Sequence, residues 1–305
     1  MQSPSAVPQD LLVEPARSPG AVLRDFVSLT KPRLSGLVLF TTAGGLWLSG
    51  QHTPWFTWLC ALVGTAGTVG AANAFNCVLE RESDRHMART ARRPLPAGRM
   101  DTAPALTFAV VLATFSLPLL WAGTNALTGA LGAVALFSYV AIYTPLKART
   151  HWALEVGAIP GALPPLMGWT AGSGHLEAGG LALFAILFFW QLPHSLAIAL
   201  FRQSEYRKAG LTSLPLERGD DVARWTAVGT LVALVAASVL PVVVGLSGWL
   251  YLLVALVLGA GFLKEGLEGA LRRGNAVWAR RLFGVSLLYI TVLFVALGVD
   301  AAFRS

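Results

Sequence analysis

The feature that most restricts this chain is its succession of long apolar segments joined by short links. Leu106 to Leu120, Leu181 to Leu200 and Trp225 to Val244 contain almost no ionisable side chain. Each is long enough, or nearly so, to cross a hydrocarbon core of about 30 Å as a helix. In lipid a helix satisfies its own backbone hydrogen bonds, so an apolar solvent and a helical fold go together. Composition agrees: 55% of the residues are hydrophobic and 13% charged, whereas soluble domains carry charge on roughly a quarter of theirs. The expected fold class is all-α, a polytopic membrane bundle. Nine spans are predicted, at 33–49, 54–79, 105–122, 125–143, 152–170, 181–201, 224–244, 247–263 and 280–299.

The first 28 residues read as a flexible cytoplasmic segment, and 29–305 as one transmembrane domain. Several prolines, with Asp10 and Glu14 ahead of Arg17, match neither a secretion signal nor an arginine-rich presequence. A bacterial inner membrane is the simpler location. Cys60 and Cys77 have no metal-knuckle or disulfide spacing and read as small packing residues.

The links alternate sharply in charge. Those near Ser49 to Pro54, Ala122 to Asn125, Ala171 to Gly180 and Gly245 to Gly248 lack lysine and arginine, while the alternate links and the amino-terminal segment hold all the basic residues except Arg304. By the positive-inside rule the amino terminus and basic loops face the cytoplasm. The net charge of +7 is thus topological, and with no soluble domain to present it, nucleic-acid binding is excluded.

Topology does not require acids among those arginines. After the second span the chain reads Asn76-Cys-Val-Leu-Glu80-Arg-Glu-Ser-Asp84. If the helix continues, Asn76, Glu80 and Asp84 recur every four residues and share a face. Two carboxylates and an amide oxygen suit Mg²⁺, which commonly takes one or two carboxylates together with substrate phosphate oxygens. Arg89, Arg92 and Arg93 follow closely enough to neutralise the same phosphate. The competing reading is a solvated loop whose acids and arginines merely pair with each other.

Two further polar patches fall on the same predicted side. Pro193 and His194 interrupt the sixth span, and Glu205, Tyr206 and Lys208 follow it. A histidine inside an apolar span tends to face a cavity or the bundle interior; a substrate role and a hydrogen-bonded packing role both fit His194. Lys147 and Arg149 follow the fourth span, either as topology determinants or as part of a diphosphate clamp.

Taken in order, these residues resemble the intramembrane UbiA prenyltransferases, over Leu29 to about Gly219. That family has nine helices and an Asn-x-x-x-Asp-x-x-x-Asp motif after the second, at whose positions Asn76, Glu80 and Asp84 stand. The likeness is strongest to the branch that prenylates haem. It lies in Leu29-Thr30-Lys31-Pro32-Arg33, Met87-x-Arg89-Thr90-x-x-Arg93-Pro94-Leu95, Tyr143-Thr144 with Lys147, Arg149 and Thr150, Gly161 to Trp169, Pro193-His194 and Glu205-Tyr206-x-x-Ala209-Gly210. Three departures stand out. Glu80 replaces the usual aspartate, an asparagine usual shortly after Thr150 is absent, and only Glu205 represents the second acidic motif.

The resemblance implies a UbiA-like bundle with a cytoplasmic-side active site, farnesyl diphosphate and haem B as substrates, and Mg²⁺ on Asn76, Glu80 and Asp84. It also implies substrate contacts from Arg89, Arg93, Lys147, Arg149, Lys31, Arg33, Glu205 and Tyr206, with His194 on the acceptor side. Membrane lipid surrounds the bundle, and haem A synthase or oxidase assembly proteins are the implied partners. An aromatic acceptor is the nearest alternative. A secondary transporter is the alternative from another class, although no second copy of the Asn76 to Pro94 pattern marks two similar halves.

The topology is testable with Cys60 and Cys77 changed to alanine. A cysteine at Ser173 should react with an impermeant thiol reagent added outside intact cells, and one at Ala91 should not; the opposite pattern rejects the orientation.

Overall fold

The computed structural model of the chain describes residues 18–50 and 52–304. Among them there is no strand. The helices are α1 (Pro19–Leu29), α2 (Pro32–Leu48), α3 (Trp55–Leu79), α4 (Arg81–Arg85), α5 (Thr102–Gly123), α6 (Ala126–Phe137), α7 (Thr144–Leu146), α8 (Ala153–Ser173), α9 (Ala178–Phe201), α10 (Gln203–Lys208), α11 (Leu214–Arg218), α12 (Asp220–Val243), α13 (Trp249–Leu271) and α14 (Ala276–Arg304). A π-helical stretch, Ser138–Tyr143, joins α6 to α7 and makes Ala126–Leu146 one rod.

Each expected span coincides with a long helix, but only seven of these helices, among the described residues, are long and apolar enough to cross a membrane. The 17-residue α2 and the proline-bearing α8 are not among the seven. A nine-span topology therefore rests on counting these two as well. Helix α1 occupies most of the described part of the amino-terminal segment, and residues 1–17 lie outside the described residues.

Consecutive long helices pack side by side, and α14 returns to touch α2, closing the bundle. Helix α8 sits inside, in contact with α2, α6 and α9, and every residue from Ala162 to Ala171 on it is buried. Small residues let α2 and α8 approach backbone to backbone. A Cβ at Gly45 would overlap the carbonyl oxygen of Pro165, and one at Gly168 that of Thr42. Lipid gives apolar side chains no solvent to flee, so close packing of this kind and interhelical hydrogen bonds hold the helices together. Thr128 and Thr170 share a hydrogen bond of 2.8 Å, and Asn125 donates to Thr170 O at 2.7 Å while capping α6.

The largest apolar core lies among α9, α12, α13 and α14 and includes Trp190, Leu231, Tyr251, Phe262 and Tyr289. Its polar atoms are satisfied: Tyr289 Oη shares a hydrogen bond with Ser238 Oγ, and Trp190 Nε1 donates to Ser286 O. Exposed Trp47, Trp55, Trp121 and Trp249 stand at helix ends on the side away from the basic links, where an interfacial aromatic belt belongs.

The α2–α8 contact makes Gly168→Ala costly, by about 1–3 kcal/mol, because two backbones must separate. Gly229→Ala meets no atom within 4 Å and serves as the neutral control. Thermal unfolding in detergent should show a lowered midpoint for the first substitution alone; equal midpoints would refute the close-packing account.

Candidate active site at the basic end of the bundle

Helix α3 ends at Leu79, and Glu80 leaves ideal helical geometry (φ −95°, ψ 7°) before the short helix α4. The four-residue hydrogen bonding survives this irregularity. Glu80 N donates to Asn76 O at 2.9 Å and Asp84 N to Glu80 O at 2.8 Å. Asn76, Glu80 and Asp84 therefore keep the common face that their spacing predicts. Asn76 and Asp84 are each 1% exposed.

Each of the three meets a cation from a different part of the chain. Lys31 Nζ donates to Asn76 Oδ1 at 2.6 Å. Lys147 Nζ lies 2.8 Å from Glu80 Oε1, an ion pair not aligned as a hydrogen bond. Arg93 donates to Asp84 Oδ2 at 2.6 Å, leaving Asp84 Oδ1 buried without a hydrogen-bond partner. A buried charge is tolerable only when paired, so these contacts are what allow two carboxylates at this depth.

The cations are themselves positioned. Lys31 has a left-handed backbone (φ 50°), rare for a residue with a side chain. It is held between Pro32, which opens α2, and Thr30, whose carbonyl accepts from Asn73 Nδ2 and Ser35 Oγ. Such strain is kept where surrounding contacts over-determine it. Burial lowers the Lys31 ammonium from its ordinary value to about 8, with Arg93 and Lys147 pushing the same way and Cys77 and Glu80 opposing. Lys147 lies 4.5 Å from the centre of the Tyr143 ring, and its carbonyl accepts from Thr212 N at 2.9 Å and Thr212 Oγ1 at 3.1 Å. In the π-helical stretch Tyr139 O accepts from Thr144 N and also from Thr144 Oγ1, the latter at 2.8 Å. Thr144 Oγ1 in turn accepts a longer bond, 3.4 Å, from Asn76 Nδ2. Beside Glu80 opens a cavity of ≈ 510 Å³ bounded by Ser83, His86, Thr144, Ala148 and Leu211.

The other expected site residues make no hydrogen bond or ion pair with this network among the described residues. Arg89 is exposed; its guanidinium is pushed down by partial burial and by the nearby charges of Arg93 and Arg202. Arg33 and Arg149 are exposed and make no ion pair among the described residues. Glu205 pairs with Arg202 at 2.6 Å, and its second oxygen is buried without a hydrogen-bond partner. Tyr206 lies close enough to Tyr143 and Lys147 to feel their charge, although burial is the main cause of its raised pKa. His194 lies in the α9–α14 seam, with Nδ1 2.7 Å from Ser286 Oγ and its ring 4.7 Å from both Trp190 and Phe283. Thr212 and the π-helical turn were not singled out from sequence, since nothing in local spacing marks either.

Among the described residues no three acidic, histidine or cysteine side chains gather. The donor set is two carboxylates and one amide, too few for an all-protein cage. It fits an ion such as Mg²⁺ that completes its shell with water and substrate phosphate. The unpartnered Asp84 Oδ1 is the oxygen most in want of a cation. With Lys31, Lys147, Arg93 and Arg89 nearby, positive charge exceeds negative, as a polyanionic ligand requires.

Residues 37–297 match the model of the UbiA prenyltransferase family. A protoheme IX farnesyltransferase of Myxococcus xanthus (strain DK1622) is 56% identical over 93% of this chain and 97% of its own length. One of Anaeromyxobacter sp. (strain Fw109-5) is 48% identical over 91% and 94%. Among solved structures, a digeranylgeranylglyceryl phosphate synthase superposes with a TM-score of 0.78 at 18% identity, covering 92% of this chain and 98% of that one. A UbiA homolog from Archaeoglobus fulgidus bound to GPP and Mg²⁺ superposes with a TM-score of 0.59 at 15% identity, covering 90% and 99%. The all-helical bundle, the acidic helix end and these likenesses agree: the chain is a multi-pass membrane protein that belongs to the UbiA prenyltransferase family.

Proposed function

We propose that this chain transfers the farnesyl group of farnesyl diphosphate to a vinyl group of protohaem IX, giving haem O and diphosphate. The observation that carries the reading is the buried face of Asn76, Glu80 and Asp84, each with its own cation, at one end of an apolar bundle. The acceptor is inferred from the identity, up to 56%, to protoheme IX farnesyltransferases.

The bond that breaks joins C1 of the farnesyl chain to a diphosphate oxygen, and negative charge gathers on the leaving group as it stretches. Lys31, Lys147 and Arg93 surround the place where that charge develops, and Arg89 adds a fourth cation at the rim. Preorganised charge of this kind in a dry site is commonly the largest contribution to such a step. Glu80, Asp84 and Asn76 would hold Mg²⁺, which when bound lends further positive charge to the diphosphate oxygens. The π electrons of the vinyl group form the new bond to C1. Water then adds at the porphyrin-side carbon and gives up its proton, completing a hydroxyethylfarnesyl substituent. Apolar helix walls keep water from reaching the allylic cation first.

Glu205 and Tyr206, with Arg33 and Arg149 farther out, complete the substrate-side contacts on this reading, and His194 belongs to the acceptor side. The basic end faces the cytoplasm of a bacterial inner membrane, and the product passes to oxidase assembly, with haem A synthase as a candidate recipient.

The protein in phosphatidylcholine nanodiscs, given protohaem, farnesyl diphosphate and Mg²⁺, should yield haem O by mass spectrometry. Glu80→Gln and Asp84→Asn should each lower the rate by about 100-fold or more. Glu80→Asp, which keeps a carboxylate, should retain most of it. Wild-type protein that prenylates an aromatic acid and leaves haem unchanged would contradict the assignment, as would full activity in both amide variants.

A further inference from the structure

The ends of α9 and α14 meet in a seam that the diphosphate chemistry does not use. Phe201, the last residue of α9, lies edge to face with Phe283 of α14 at 5.9 Å and 78°. Two guanidiniums lie near the Phe201 ring: Arg202 Cζ is 5.3 Å and Arg280 Cζ 5.7 Å from its centre. Arg202 gives one N–H to Glu205. Arg280 is exposed and has no acidic partner among the described residues, because Glu265 and Glu268 pair with its neighbour Arg281.

Further into the bundle the seam becomes aromatic. His194 lies between Trp190 and Phe283, stacked on the first. Ser286 Oγ donates to Phe283 O at 2.6 Å, so the proton in the His194–Ser286 bond comes from His194 Nδ1. His194 Nε2 therefore keeps its lone pair and has no hydrogen bond among the described residues. The seam is thus aromatic within and doubly cationic at its outer rim. That rim is tied to the acidic site through α10: Arg202 pairs with Glu205, and the chain that follows reaches Thr212, which donates to the carbonyl of Lys147, the partner of Glu80.

We propose that this seam recognises the acceptor, with Arg280 and Arg202 over Phe201 holding the two propionates of the porphyrin, Phe283 lying along its apolar body and the unbonded Nε2 edge of His194 turned toward it. The proposal rests on the haem-farnesylating reading and adds to it a place for the acceptor. A porphyrin is a flat apolar body with two carboxylates on one edge, and the seam matches it in both respects. Guanidinium–carboxylate contacts are strong, geometrically specific hydrogen bonds. A phospholipid phosphate at Arg280 would account for the free cation but not for the aromatic seam beneath it.

Ferric protohaem and its dimethyl ester, which lacks the two negative charges, separate these sources. Each is titrated by its Soret band into the protein in phosphatidylcholine nanodiscs without farnesyl diphosphate. Arg280→Gln should weaken protohaem binding about tenfold, as expected for one charge-assisted contact, and leave binding of the ester unchanged. Affinity for farnesyl diphosphate, measured on the same samples, should also be unchanged, which shows that the variant is folded. An equal effect of the substitution on haem and ester, or none on either, overturns the subsite. If wild-type protein makes haem O while Arg280→Gln binds haem normally, only the subsite is wrong. If wild-type protein neither binds haem nor farnesylates it, the functional reading itself fails.

Discussion

Three contacts between an oxygen and a cation hold the basic end of this molecule in its working form: Lys31 on Asn76, Lys147 on Glu80 and Arg93 on Asp84. Each cation comes from a different link, so the contacts also fasten the start of α2, the end of the Ala126–Leu146 rod and the loop after α4 to the foot of α3. Removing one partner of a buried pair commonly costs about 3–5 kcal/mol, because the other is left charged and unsolvated. A network satisfied in this way is rigid, and it gathers more positive than negative charge in a small volume. That combination favours a bound polyanion.

Above the network lies the strand of chain from α10 to α11, tied down by Thr212 on Lys147 O and by His151 on Glu217 at 2.6 Å. Leu211 and Ala209 of this segment help to bound the cavity beside Glu80. Below it lies the bundle, whose outer faces carry exposed apolar residues such as Phe115, Trp121 and Val243. A charged site at the foot of apolar helices suits a substrate with an anionic head and an isoprenoid tail.

The sequence made the helical fold legible because hydrophobic length and one-sided charge are both local properties. It made the acidic face legible because a spacing of four needs only a helix that continues, and the hydrogen bonds through Glu80 and Asp84 continue it. Other features depended on residues far apart in the chain. Ser286, which satisfies His194, is 92 residues away, and Asn76 is 45 residues from Lys31. The left-handed Lys31 and the π-helical turn before Thr144 have no compositional signature. The resemblance implies substrate contacts from Arg33 and Arg149, and both side chains are exposed and make no ion pair among the described residues, so no contact within the chain marks a role for either. Arg280 has no local sequence signal beyond its positive charge, since its significance lies in its contact with Phe201 on another helix.

On the proposed function, the face of Asn76, Glu80 and Asp84 binds a diphosphate together with Mg²⁺. The most direct test of that binding is calorimetric titration of an uncleavable thiolo analogue of farnesyl diphosphate into the protein, with Mg²⁺ present or removed by EDTA. Wild-type protein should bind the analogue tightly only with Mg²⁺ present, and Asp84→Asn should lose that binding even with Mg²⁺. The same affinity with and without Mg²⁺, or undiminished Mg²⁺-dependent binding by Asp84→Asn, would contradict it.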